Sequence, residues 1–516
     1  MNCIKQFKSS ENLSFLATFV IGFATHLFGF VNVLHNYDDI AILPAGSGTG
    51  VTSGRWFLTV LDTLFEKIGI TFNLPYVNAV LFILLISISV KYVICILEIK
   101  NYISAILIGA VFVTFPSATS TLFFKYTAVL YGVAVLCAVM AVWCVKKFKF
   151  GFIVSMILIA CSLGIYQAYV PITISLMVIL SLRNNLSEKS ESLNIIKQGI
   201  KYVVTLISGI IVYYIFLKIC LVAYNTQLNS YQGIDKMGVI KLSQLPGLLQ
   251  RTFYEFFSIV FSDFKGISQT FIIRFGILLL GCICVGLIIF ILRVYRKKLD
   301  SIVLTVLLCC IFPVAINFIV IMCPTSNIYT LMVYSFALIF TVPFVLLEII
   351  EPRQFAERIF LNYKKCIKKV VIFVTLVIIF SYAYLDNLNY TQLYYTTQKT
   401  ENYMSSLVVQ VRMTEGFNTS MKWAFIGDNF QDSLLYDNWE AVPRYGGNET
   451  TSSLINAYSR LSWIRNYFGY NISFVDEEQL TDLEKNPQVV NMSCFPNEGS
   501  IQIVNNVVVI KLENVE

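Results

Sequence analysis

Two carboxylates stand side by side at Asp38-Asp39, just after a long apolar run and a His35-Asn36-Tyr37 lead-in. A pair so placed suits group transfer to a hydroxyl beside a lipid-held donor. One carboxylate takes the hydroxyl proton as general base, typically worth about 10²- to 10⁴-fold in rate; the other binds acceptor hydroxyls or a cation. Either could instead cap the short segment that follows. Further on comes Gly54-Arg55-Trp56. The Arg fork matches phosphate oxygens, although an Arg beside Trp56 also reads as a snorkelling anchor in an aromatic belt. Lys125-Tyr126, Arg251 and Arg274 are further polar residues near helix ends expected on the same side. A leaving phosphate needs its charge met as its bond breaks, so several such cations around a carboxylate pair say more than any one alone. A third feature is Ser162-Leu163-Gly164-Ile165-Tyr166-Gln167-Ala168-Tyr169. Tyr166 and Gln167 suit sugar hydroxyls, although tyrosine at a helix exit is also an ordinary interfacial residue.

The elements that position these residues follow from composition. Of 516 residues, 57% are hydrophobic and 13% charged, with a mean hydropathy of +0.70. Soluble domains average about a quarter charged residues, so an ordinary cytosolic enzyme is excluded. A spanning helix needs about 20 apolar residues, and candidates fall near 13–34, 75–97, 102–122, 126–145, 150–168, 170–182, 200–223, 271–292, 301–322, 329–348 and 368–385. These make about 11 transmembrane helices. The run 151–182 is interrupted at Tyr166-Gln167-Ala168-Tyr169-Val170-Pro171 and reads either as one span or as two short helices meeting in the membrane.

Charge fixes the expected orientation. With the N-terminus inside, the inner segments hold 20 basic residues, from Lys5 and Lys8 through Lys100, Lys146, Lys189 and Arg293 to the stretch Arg353 to Lys369. The outer loops hold 8: Arg55, Lys67, Lys125, Lys236, Lys241, Arg251, Lys265 and Arg274. The positive-inside rule then predicts an N-in, C-out protein. The first helix reads as a retained anchor, since no small-residue cleavage site follows it. The chain divides into a membrane body, residues 1–385, with outer loops at 35–74 and 224–270, and an exported tail, 386–516. The tail carries 8 basic and 16 acidic residues, whereas the body carries 30 and 15. The stretches Gly54 to Leu58 and Arg251 to Phe257 read as amphipathic helices in the headgroup plane.

Other features read as structural. Most of the 13 Cys lie in apolar runs and the tail has only Cys494, so no disulfide staples it. With two His in the chain, a His-ligated metal site is not expected. His26 reads as a packing residue, and Lys91 and Lys218 as snorkelling side chains. No internal repeat appears, which speaks against a secondary transporter. In the tail, Trp423 to Asp428 reads as a strand and turn, Leu454 to Tyr467 as helical, and Ile501–Val504 as a strand turned back by Asn505-Asn506 onto Val507–Lys511. Together these make a small α/β domain roofing the site, and its sequon Asn448-Glu449-Thr450 carries little meaning.

The residues resemble a known family. Asp38-Asp39 with Gly54-Arg55, the run Tyr131-Gly132 to Val142, Ser162 to Ala168, and Cys494-Phe495-Pro496-Asn497-Glu498-Gly499-Ser500-Ile501 running on to Leu512 occur in the order found in the serotype-converting O-antigen glucosyltransferases of bacteria and their phages. The usual Gly-Arg-Pro of that family is Gly54-Arg55-Trp56 here.

The resemblance implies a polytopic α-helical membrane enzyme of the GT-C type, multi-pass in the bacterial inner membrane, with its tail outside. It implies a donor, polyprenyl-phosphate-glucose, and an acceptor, lipid-linked O-antigen or a related surface glycan, joined by inverting single displacement. An essential acidic residue of the first outer loop maps to Asp38 or Asp39. Arg55 with Lys125 or Arg274 then meets the phosphate, and Tyr166 and Gln167 line the sugar pocket, with Trp56, Tyr126 and Arg251 nearby. Glucose itself rests on the resemblance, since no residue separates it from galactose. No organic cofactor and no nucleic-acid partner is expected; a divalent cation beside the carboxylates stays open. The alternative is a transporter or flippase of lipid-linked sugars, which calls for ionisable groups at mid-membrane, and a third reading is an anchor presenting an outer binding domain.

Overall fold

The computed structural model of the chain describes residues 9–514 except 43, 47, 71, 188–190, 231–241, 351–356, 429–442 and 449–454, and describes no side chain at 242 or 357–362. Lys5, Lys8, Lys189, Lys236, Lys241, Arg353, Glu449 and Thr450, all weighed above, lie outside the described residues.

Ten helices among the described residues are long and apolar enough to cross a membrane. Some, such as Ser192–Ala223 and Phe271–Val294, leave most of their residues unburied, whereas Tyr102–Phe123 is 94% buried inside the bundle. The first, α1 (Ser10–Val31), starts at Ser9, whose hydroxyl accepts from the Asn12 N–H at 3.3 Å. Two short helices follow, α2 (Tyr37–Ile42) and α3 (Trp56–Lys67). α4 (Pro75–Leu97) and α5 (Tyr102–Thr114) pack on α1. α5 and α6 (Pro116–Phe123) form one span bent at Phe115-Pro116, where proline has no N–H to continue the helix. α7 (Lys125–Lys147) then returns.

The interrupted run resolves into two helices. α8 (Gly151–Ile165) is a 15-residue apolar helix that ends where Tyr166 turns extended at φ −152° and ψ 109°. One 3-10 turn, Gln167–Tyr169, leads to α9 (Val170–Leu186), with Pro171 in its first turn, where a missing N–H costs nothing. The break therefore leaves Tyr166 and Gln167 free of regular helix at one end of the bundle.

α10 (Ser192–Ala223) packs on α8, and α11 (Leu245–Phe261) is amphipathic. It buries Leu248, Thr252 and Ile259 and exposes Tyr254, Phe257 and Phe261, the pattern of a helix lying at an interface. α12 (Phe271–Val294), α13 (Leu299–Ile316), short α14 (Ile319–Met322), a 3-10 stretch Thr330–Thr341 and α15 (Val342–Ile349) complete the body.

α16 (Glu357–Met413) is one helix of 57 residues, and the expected boundary at 385/386 falls inside it. His26 on α1 bonds Tyr390 OH through Nδ1 and the Val113 carbonyl through Nε2, both at 2.9 Å. It fastens α16 to the bundle, the packing role expected of it. Beyond α16 lie β1 (Lys422–Ile426), α17 (Arg460–Tyr467), α18 (Glu477–Glu484), α19 (Pro487–Val490), β2 (Ile501–Val504) and β3 (Val507–Lys511). The sheet order is β1-β3-β2, with β1 parallel and β2 antiparallel to β3. Asn505 and Asn506 have φ of 51° and 63°, the two left-handed positions that a tight hairpin turn needs.

The tail docks on the bundle through side chains of α16. Asn389 Oδ1 accepts from the Tyr445 N–H at 3.0 Å, and its Nδ2 donates to the Pro443 carbonyl at 3.3 Å. α17 packs on α2, where the Ser462 hydroxyl donates to the Ala41 carbonyl at 3.1 Å.

Candidate active site

α2 holds the two carboxylates, and Asn36 is its cap: the Asn36 Oδ1 accepts from the Asp39 N–H at 2.8 Å. Neither aspartate is needed for capping. Consecutive residues on a helix point about 100° apart, so the pair cannot share one environment. Asp39 is 2% exposed. Its Oδ1 accepts from the Tyr126 N–H at 3.1 Å and its Oδ2 meets His35 Nδ1 at 3.3 Å. Asp38 instead lines a cavity of about 580 Å³ at this end of the bundle. Burial, reinforced by the neighbouring Asp39 charge and countered by Arg55, pushes its carboxyl up to about 6.

The cavity's cation is Arg55, carried on a short shelf. Val51–Ser53 form a 3-10 turn closed by Gly54 at φ 72°, ψ 11°. A β-carbon at Gly54 would stand 2.8 Å from both Gln167 Nε2 and Tyr213 OH, so both conformation and space demand glycine. Those two side chains hold the shelf: Gln167 Nε2 donates to the Ser53 carbonyl at 3.1 Å, and Tyr213 OH donates to the Gly54 carbonyl at 3.0 Å. The Arg55 guanidinium carbon lies 5.1 Å from the Tyr166 ring centre and 6.0 Å from that of Tyr131. The two rings are stacked, their centres 4.4 Å apart. Among the described residues no carboxylate lies within ion-pair distance of Arg55, and its Nε has no acceptor. Ring faces steady the cation without cancelling its charge, leaving that charge available to an anion in the cavity.

Tyr126, Tyr131, Tyr166 and Gln167 line the cavity, as do Asn229, Asn327 and Tyr329. The tail supplies Gly447 and Tyr458, and Tyr458 is 58% exposed and within electrostatic reach of Asp38. A hydroxyl-bearing ligand with an anionic end fits this lining, which is rich in aromatic faces and amide groups.

Of the residues singled out from sequence, Asp38, Arg55, Tyr126, Tyr166 and Gln167 come together at the cavity. Asp39 stands directly behind it. Trp56 turns away: its indole stacks on Phe216 with centres 5.0 Å apart and packs on Gly164, where a β-carbon would meet it at 2.7 Å. Lys125 is 1% exposed, donates to the Leu34 carbonyl and lies within electrostatic reach of Asp39. It braces the loop after α1. Arg251 pairs with Glu255 at 2.8 Å and donates to the Pro324 carbonyl at 3.0 Å, and Arg274 donates to the Ser268 carbonyl at 2.7 Å. None of these four lines the cavity. Sequence reading passed over Tyr131 as a site residue, although it lies in a motif noted above, and also Asn229, Asn327 and Tyr458. For Tyr131 the signal was its place on the helix that begins with Lys125-Tyr126; for the others no local pattern marks them.

A family model described as Glucosyl transferase GtrII matches residues 27–340. The match runs from within α1 through the Asp38-Asp39 helix, the Arg55 shelf and the Tyr166-Gln167 break into the 3-10 stretch before α15. No curated protein and no solved structure matches the chain.

Proposed function

The chain belongs to the GtrII glucosyl transferase family, and on that premise we propose that it moves glucose from polyprenyl-phosphate-glucose to a lipid-linked O-antigen or related surface glycan. Membership makes it a glucosyltransferase with a sugar donor and a glycan acceptor, embedded by many spans, and decides against the carrier alternative.

Asp38 is the base. It takes the proton of the acceptor hydroxyl as that oxygen bonds the anomeric carbon of glucose; the bond from that carbon to the phosphate oxygen breaks, and the phosphate leaves with the electron pair. Single displacement inverts the anomeric centre. Arg55 meets the phosphate charge, which grows on bond breaking, in a setting of aromatic rings where a fixed cation acts more strongly than in water. Tyr166 and Tyr131 offer faces to the sugar. The positive-inside bias supports an outer-face position for this end of the bundle, where the lipid-linked acceptor is met.

The observation that carries this reading is that Asp38 and Arg55 share one cavity while Asp39 is turned out of it. To test it, membranes containing the protein are given labelled polyprenyl-phosphate-glucose and lipid-linked O-antigen. Asp38→Asn and Arg55→Gln, at wild-type abundance, are each expected to lose transfer by roughly 10²-fold or more. Full activity in Asp38→Asn sinks the base assignment.

A further inference from the structure

The 224–270 loop carries a residue that the reaction described so far does not use. Asn229 lines the cavity and is pinned to the Arg55 shelf twice: its N–H donates to the Thr52 carbonyl at 2.9 Å, and its Nδ2 donates to the Ser53 hydroxyl at 3.4 Å. Its Oδ1 is buried, and among the described residues none donates to it. Buried amide oxygens are nearly always satisfied, because leaving one without a donor forfeits its hydration for nothing. The Asn229 backbone is tied to Thr52, and the shelf that it joins is itself held by Gln167 at Ser53 and by Tyr213 at Gly54. The orphan is therefore held in a fixed position rather than left to a loose side chain.

The shelf brings two groups of opposite character together, the Arg55 guanidinium and the Asn229 carboxamide, and both residues line the cavity. In a sugar 1-phosphate the anionic group sits on C1 and the nearest ring hydroxyl on the adjacent carbon, so a cation and a hydrogen-bond acceptor on one short turn match both parts of such a molecule. We propose that Asn229 Oδ1 accepts a hydrogen bond from one hydroxyl of the donor hexose and is a specificity-determining residue for that sugar. The assignment rests on the proposed donor. A site that reserves a buried acceptor for a substrate hydroxyl discriminates strongly against the analogue lacking it, since the acceptor is then stranded.

The test compares polyprenyl-phosphate-glucose with its 2-, 3-, 4- and 6-deoxy analogues, using membranes that carry the full-length protein, its Asn229→Ala variant and its Asn229→Asp variant. The wild-type protein is expected to use one deoxy donor less well by roughly 10- to 100-fold in kcat/KM. In Asn229→Ala the glucose donor is expected to fall to about that deoxy level while the same deoxy donor falls little further, so the ratio collapses. Asn229→Asp keeps an oxygen acceptor at the same point and is expected to keep the ratio even if its overall rate drops beside the phosphate. The ratio is read within each variant, so low abundance of a variant does not imitate the result, and KM for the acceptor glycan is expected to be unchanged. Retention of the wild-type ratio for every deoxy donor in Asn229→Ala overturns the assignment to Asn229 alone. A wild-type protein that uses none of these donors overturns the proposed donor instead.

Discussion

The backbone N–H of Tyr126 donates to Oδ1 of Asp39 at 3.1 Å, which joins the first turn of α7 to the helix that carries both carboxylates. This one bond separates the roles of two adjacent, chemically identical side chains. Asp39 faces inward, between His35, the Tyr126 amide and the Lys125 ammonium. Asp38, about 100° further round the helix, is left facing the cavity.

The two aspartates are therefore expected to fail differently. Asp39→Ala strands the Tyr126 N–H and leaves Lys125 without its nearest negative charge. It should destabilise the protein by about 1–3 kcal/mol, seen as a lower midpoint of thermal aggregation in detergent. Asp38→Asn should aggregate no earlier than the wild type while losing transfer. Equal loss of stability in the two variants contradicts the division.

The raised Asp38 carboxyl gives a pH signature of known sign. A base must be ionised to accept a proton, so kcat/KM should fall as pH drops through about 6, and residual activity of Asp38→Asn should lack that acid limb. Stability runs the other way. The folded carboxyl titrates above its ordinary value of 3.8, so the fold favours the protonated form, and that contribution, complete below the unfolded value, is lost as pH rises through about 6. Asp38→Asn should accordingly unfold at a higher temperature than wild type at pH 7 to 8, with the gap closing at more acid pH. A gap that widens on acidification is incompatible with the assignment.

The Arg55 shelf should be sensitive to residues that never touch substrate. Tyr213→Phe removes the donor to the Gly54 carbonyl, a bond worth about 0.5–1.5 kcal/mol, and should raise KM for the donor several-fold with the acceptor KM unchanged. Gly54→Ala forces a β-carbon against Gln167 and Tyr213 at a left-handed position and should cost more. Steady-state kinetics on both substrates check the order; an effect confined to the acceptor would place the shelf elsewhere in the reaction.

The parts legible in sequence are those set by local chemistry. Asp38-Asp39 and Arg55 stood out because charge is scarce in this chain, so a charge in the loop after the first span has few structural reasons to be there. The break at Tyr166 to Pro171 and the Asn505-Asn506 hairpin follow from proline and asparagine backbone preferences. What stayed hidden depends on distant chain. Lys125 looks like a free cation until the Leu34 carbonyl and Asp39 are brought against it. Asn229 and Tyr458 gain meaning only once the 224–270 loop and the tail reach the shelf and α2. The length of α16 was hidden for another reason: polar residues after 385 signal departure from lipid, yet Asn387, Thr391 and Thr397 return their side chains to carbonyls four residues back and the helix continues.

That unbroken helix has a mechanical consequence. At 1.5 Å per residue its 57 residues reach about 85 Å, far more than the roughly 30 Å of hydrocarbon in a bilayer. It works as a mast rooted among the spans, with the sheet rigged near its top and Tyr445 lashed to Asn389 part-way up. The first left-handed glycine after it is Gly416, past the helix end, so the mast offers no joint of its own between the lipid and the sheet. The height of the tail above the carboxylate is thus written into a count of helical turns: one added or deleted turn within the polar half would raise or lower the sheet by about 5.4 Å and carry Tyr458 away from Asp38 while leaving every residue of the cavity floor in place.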